Sequence, residues 1–214
     1  MTGVVRIQRL QQISKHLDGM KAVIFDMDDT LYGEKQYVKS GYSEVARVLG
    51  DRVTHAQQKL WQFFTEGKNA IDQLLLSENI YSEELKNACV AAYRNQMPQI
   101  SLYDGVAELL ETLKQQGYRL GMITDGRPDG QRAKIRALGL SRYMEHIIIT
   151  DELGGVAYRK PNPLAYRMMA EHFGLQYSQM MYIGDNPRKD FIACEELGIR
   201  AVYFVNRDGL YSNE

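Results

Sequence analysis

Two cysteines in 214 residues, Cys89 and Cys194, exclude a disulfide-stapled scaffold. They lie far apart in helical-looking segments, and the expectation is two reduced, buried thiols. Charge of one sign is also missing: 26 basic side chains face 27 acidic ones. That balance argues against a dedicated nucleic-acid binder, which shows a basic excess or stripe. No apolar run approaches the roughly 18 residues that span a bilayer, so no membrane segment is expected. Residues 1–20 carry basic side chains but no continuous apolar core, unlike a secretory signal, and the expected compartment is the cytoplasm. Internal repeats, low-complexity tracts and long linkers are absent as well.

What is present is ordinary globular material, 44% hydrophobic and 25% charged, in a chain long enough to bury a core. Short apolar runs alternate with amphipathic stretches, which predicts an α/β fold with a mostly parallel sheet. The runs fall at residues 21–25, 119–123, 146–150, 180–183 and 200–204 and are rich in β-branched or aromatic side chains. Helices are predicted between them. One carries Val106, Leu109, Leu110 and Leu113, one ends before Gly139, one follows Pro163 and stops near Gly174, and one covers 188–197 before Gly198.

From about residue 37 to 97 the strand rhythm stops and the pattern reads as consecutive helices. Thr54 and Gln57 fit a capping box, Leu60, Trp61, Phe63 and Phe64 supply apolar bulk, and Ser82 fits an N-cap. At the front, Val4, Ile7, Leu10, Ile13 and Leu17 predict a helix over 1–20, packed on the core or offered to a second copy or partner.

Chemistry concentrates where apolar runs end. Asp26, Asp28 and Asp29 follow the first run, and open α/β sheets bind ligands at the carboxyl ends of their strands. Three aspartates so close repel one another, and a hard divalent cation is the simplest remedy. As structure alone, the same residues could be a solvated turn. Gly184, Asp185 and Asp190 repeat the theme after the run at 180–183. Thr124 ends another run ahead of Asp125 and Gly126, offering a hydroxyl and backbone amides to a phosphate oxygen. Lys160 is held by Pro161 and Pro163, which restrict the backbone and aim the ammonium. Each piece has a bland reading as a turn, a cap or a surface charge. Their order is the informative part.

Taken together, these pieces resemble the haloacid dehalogenase superfamily in its phosphatase branch. Asp26-x-Asp28-x-Thr30 matches the first motif, Thr124 the second, Lys160 with its prolines the third, and Gly184-Asp185 with Asp190 the fourth. The resemblance implies a Rossmann-like core with helices on both faces (21–33 and 99–214) and a small helical cap over 34–98 inserted after the first motif. It implies Asp26 as nucleophile through an aspartyl-phosphate, with Asp28 as general acid and base. Asp28 is expected to have a raised pKa from the surplus of negative charge. Mg²⁺ would be held by Asp26, Asp185 and the main-chain carbonyl of Asp28. Thr124, Asp125 and Lys160 would hold the phosphoryl group, and Asp190 would orient Lys160. Gly33 and the pair Asp104–Gly105 are candidate hinges. Tyr32, Tyr37 and Tyr42 could stack on substrate but serve packing as readily, and Arg127 could meet a second anion. The expected reaction is hydrolysis of a small phosphorylated metabolite. A phosphomutase or phosphotransferase of the same fold and a non-catalytic binding module remain as alternatives. Asp29 stands where sugar phosphomutases of this family usually carry glycine, which disfavours the mutase.

Overall fold

The computed structural model describes residues 3–210, so the ends of the 1–20 and 99–214 segments lie outside the described residues. The chain divides into two compact units, one of residues 1–34 and 101–214, the other Lys35–Ile100.

The first unit is built on β1 (Val5–Ile7), β2 (Ala22–Phe25), β3 (Arg119–Thr124), β4 (His146–Ile149), β5 (Met180–Gly184) and β6 (Arg200–Phe204). All five neighbouring pairs are parallel, in the order β1-β6-β5-β2-β3-β4. β2 is buried along its whole length, so both faces of the sheet are covered there. Chain order reverses between β2 and β5, the kind of switch point where open α/β sheets form a ligand crevice. The helices between strands are α5 (Val106–Gln115), α6 (Pro128–Ala137), α7 (Leu164–Phe173) and α8 (Ile192–Leu197), which follow α1–α4 of the second unit in chain order. Gly139, Gly174 and Gly198 all take positive φ behind their helices, as the sequence pattern predicts. α8 begins later than expected because residues through Phe191 form the turn that carries the acids.

The N-terminal expectation is corrected. Among the described residues, 3–20 do not form an α-helix: β1 pairs with the edge of β6, and Leu10–His16 is a 3-10 helix. Leu10 and Ile13 are three residues apart, a spacing that suits three residues per turn. Without β1, the buried Val202 on β6 would lie on an open edge. Ile7, Leu10, Ile13 and Leu17 are buried in this same chain, so that apolar stripe is not available to a partner.

The second unit holds α1 (Glu34–Leu49), α2 (Ala56–Thr65), α3 (Ala70–Ser77) and α4 (Glu83–Arg94), with its own core around Tyr42, Val45, Leu60, Leu74 and Leu75. Ser82 caps α4 by accepting from the Leu85 amide at 3.1 Å. The expected capping box at Thr54 does not form. α2 starts after His55 in a left-handed conformation, and the Gln57 amide donates instead to the Lys39 carbonyl at 3.2 Å. Tyr37 and Tyr42 pack against Tyr93, which makes them core residues here. No helix among the described residues is long and apolar enough to cross a membrane.

Candidate active site

Strand order explains why distant residues meet. β2 lies between β5 and β3, so Asp26, Asp185 and Thr124 emerge side by side at their carboxyl ends. Asp26 is only 3% exposed, and its amide still donates to the Ile183 carbonyl of β5 at 2.8 Å. The loop after β4 brings in Lys160, whose side chain is wholly buried. Its Nζ lies 2.8 Å from Asp26, 2.8 Å from Asp190 and 2.9 Å from the Tyr182 hydroxyl. Burial opposes that charge, but Asp190, Asp26 and Asp125 outweigh it and hold the ammonium well above its ordinary pKa.

Asp190 is fixed in turn. Its Oδ2 accepts from the Asn186 amide at 2.9 Å, so it serves the Lys160 site rather than capping α8. Gly184 makes room for it, because a Cβ there would stand 2.3 Å from the same oxygen. Asp125 also acts as a brace. Its Oδ1 accepts from the Lys160 amide at 3.0 Å and the Thr150 hydroxyl at 2.9 Å, and its Oδ2 faces Lys189 at 3.1 Å. With its carboxylate so engaged, any part Asp125 takes in phosphate binding falls to its main-chain amide.

Asp28 departs from expectation. Burial alone would raise its pKa, but the Lys134 charge and hydrogen bonds from Lys134, Tyr32 and Gln131 together pull it below the ordinary carboxylate value. The negative charge that was expected to raise Asp28 raises its neighbours instead. Burial pushes Asp26 up to about 6, with Lys160 opposing and Asp190 reinforcing. Burial, then Asp26, Asp190 and Asp29, push Asp185 up to about 9. Glu34, beside this cluster, rises to about 8 through burial and the charge of Asp28.

These groups suit a hard cation. Carboxylate oxygens of Asp26, Asp185 and Asp190 all lie within 4.8 Å of one another, and the donors are all oxygen. Asp190 already serves Lys160 and the Asn186 amide, which leaves Asp26 and Asp185 as the more available pair. Two buried carboxyls with raised pKa values are what a divalent charge would relieve.

Comparison with known proteins agrees with the geometry. The family profile described as haloacid dehalogenase-like hydrolase matches residues 23–204. The chain belongs to this family. Among similar members, a glyceraldehyde 3-phosphate phosphatase from Pyrococcus abyssi is 29% identical over 201 residues, covering 86% of this chain and 81% of that protein. A phosphoserine phosphatase from Thermus thermophilus is 25% identical, covering 86% of this chain and 88% of its own length. Of solved structures, the haloacid dehalogenase-like hydrolase YfnB from Bacillus subtilis, bound to magnesium, superposes with a TM-score of 0.62 at 22% identity. That alignment covers 88% of each chain and speaks for the fold.

Within this haloacid dehalogenase-like frame, sequence reasoning missed Glu34, Gln131 and Lys134, and it read Tyr32 as a stacking or packing ring where its hydroxyl donates to Asp28. Gln131 and Lys134 are buried polar residues one turn apart on α6, directly after Thr124. A glutamine and a lysine sharing the helical stripe of Ile135 and Leu138 are the signal that could have found them. Arg127, by contrast, is exposed.

Proposed function

We propose that this chain is a Mg²⁺-dependent phosphatase that hydrolyses a small phosphomonoester through an aspartyl-phosphate on Asp26. The observation that carries the reading is the placement of Asp26: a buried carboxylate at the end of the central strand, against Lys160 and beside Asp185. In the first half-reaction an Asp26 oxygen forms a bond to phosphorus while the bond to the leaving oxygen breaks. Asp28 gives that oxygen a proton. The charge of an incoming phosphate works against the Lys134 pull and favours the protonated acid at that moment. In the second half, water attacks the same phosphorus, Asp28 takes its proton, and Asp26 is released with orthophosphate. Lys160 and the Thr124 hydroxyl hold the phosphoryl oxygens, and Asp190 keeps Lys160 aimed. Mg²⁺ held by Asp26, Asp185 and the Asp28 carbonyl would neutralise charge on the transferring group.

The relatives' names point to small phosphorylated acids and aldehydes, which supports a metabolite as substrate. We read the helical unit as the cap that selects the leaving group, and the compartment as the cytoplasm, in keeping with two buried free thiols. Phosphate release from a panel of phosphorylated metabolites with Mg²⁺ tests the activity. Asp26→Asn should abolish turnover; an unchanged rate in that variant would overturn the assignment.

A further inference from the structure

Both oxygens of the Asp28 carboxylate are occupied by side chains that the reaction itself does not consume. Oδ1 accepts from the Lys134 ammonium at 2.6 Å and from the Tyr32 hydroxyl. Oδ2 accepts from the Gln131 amide at 2.8 Å. The same Gln131 nitrogen donates to Thr124 Oγ1 at 2.6 Å. An amide NH₂ has two hydrogens, so both bonds form at once. The second one has a direction. With Thr124 Oγ1 accepting from Gln131, its own hydrogen remains for another acceptor, and a phosphoryl oxygen is such an acceptor. Gly126 permits the approach: it has φ +137°, and a Cβ there would stand 3.1 Å from the Gln131 side chain.

We propose that Gln131 and Lys134 are positioning residues that lock the Asp28 carboxylate and, through Gln131, set the Thr124 hydroxyl as a donor to the phosphoryl group. This inference rests on the phosphatase reading above and deepens it. α6 is the rigid element that carries it. Gln131 and Lys134 project from adjacent turns, both buried, and reach a residue more than 100 positions earlier in the chain. Lys134 also comes within 4.0 Å of Glu34, so its ammonium sits between two carboxylates and resists swinging away. An acid–base group that must serve two different oxygens, leaving group and then water, gains from a fixed orientation.

The test uses the full chain with two substrates. p-Nitrophenyl phosphate has a leaving group that departs without a proton, whereas an alkyl phosphate such as glycerol phosphate requires one. For Lys134→Met, kcat on the alkyl phosphate should fall about 10²-fold with KM little changed. On p-nitrophenyl phosphate the first half should survive, giving a burst of nitrophenolate equal to the enzyme present, followed by slow turnover. Lys134→Arg should recover part of kcat. Gln131→Leu, which leaves the ion pair intact, should behave similarly but also raise KM, because Thr124 loses its fixed role. In an Asp28→Asn background Lys134→Met should cost nothing further, and Gln131→Leu should retain only its effect on KM through Thr124. Absence of the nitrophenolate burst, no rescue by arginine, or a further loss of kcat in the Asp28→Asn background would overturn the inference. If Lys134→Met does not fold, Gln131→Leu alone decides it on the same readouts. Wild-type protein that releases no phosphate from any ester would instead sink the phosphatase reading, and this one with it. Active wild type with unaffected variants would sink only the inference.

Discussion

At Asp26 and Asp185 the carboxyl pKa values are raised, to about 6 and about 9, with burial as the leading cause. The folded chain therefore holds protons that the unfolded chain has already released above about pH 4. Stability from these two groups is full below that pH and is lost as pH rises through about 6 and then about 9. Asp28 is shifted the other way, so its contribution changes below that window. The expected outcome for protein treated with chelator is a melting temperature that falls between pH 5 and 9, by an amount that added Mg²⁺ largely restores. Differential scanning calorimetry across that range checks it. Asp185→Asn should flatten the pH slope and remove most of the Mg²⁺ response.

Elements are held by contacts that helix and strand propensity alone would not choose. Gly41 sits inside α1, where alanine would be favoured by about 1 kcal/mol. Yet a Cβ at Gly41 would stand 2.4 Å from the Tyr93 ring and 2.7 Å from the Gln96 amide. That ring is itself packed against Tyr37 and Tyr42, so it has little room to yield. Overpacking costs about 1–3 kcal/mol, which exceeds the propensity gain. Gly41→Ala should therefore lower stability, read as an earlier midpoint in urea unfolding. The motif loop after β2 shows a similar dependence on its surroundings. Asp29 takes φ +52°, a conformation glycine adopts freely and aspartate tolerates. Its carboxylate accepts from the Glu34 amide at 2.8 Å and the Leu210 amide at 2.7 Å, while Asn206 donates to its carbonyl at 2.8 Å. The segment after β6 thus braces the loop that carries Asp26 and Asp28, and glycine at position 29 would lose both carboxylate bonds.

The molecule as a whole is a sheet unit interrupted once by a helical unit. The two crossing points of the chain are adjacent, since the Tyr103 amide donates to the Leu31 carbonyl at 3.0 Å. Replacing residues 35–100 with a short Gly/Ser linker should leave the sheet unit folded, because its core and its acidic cluster lie outside that segment. A Mg²⁺-dependent rise in melting temperature should persist in the shortened chain. Discrimination among phosphomonoesters should fall, measured as a narrower spread of kcat/KM across the panel.

Much of this was legible in the sequence by itself. Short apolar runs rich in β-branched and aromatic residues specified five of the six strands, and acids and a hydroxyl marked where three of them end. Such signals are local, because periodicity and turn chemistry are settled by residues a few positions apart. Tertiary structure decided the rest. Whether residues 5–7 became helix or strand depended on the open edge of β6, nearly 200 positions away. The pKa of Asp28 turned on Lys134 and Gln131, which no spacing rule connects to it. A carboxylate's proton affinity is fixed by the charges and donors within a few ångströms, and only the folded chain determines which those are.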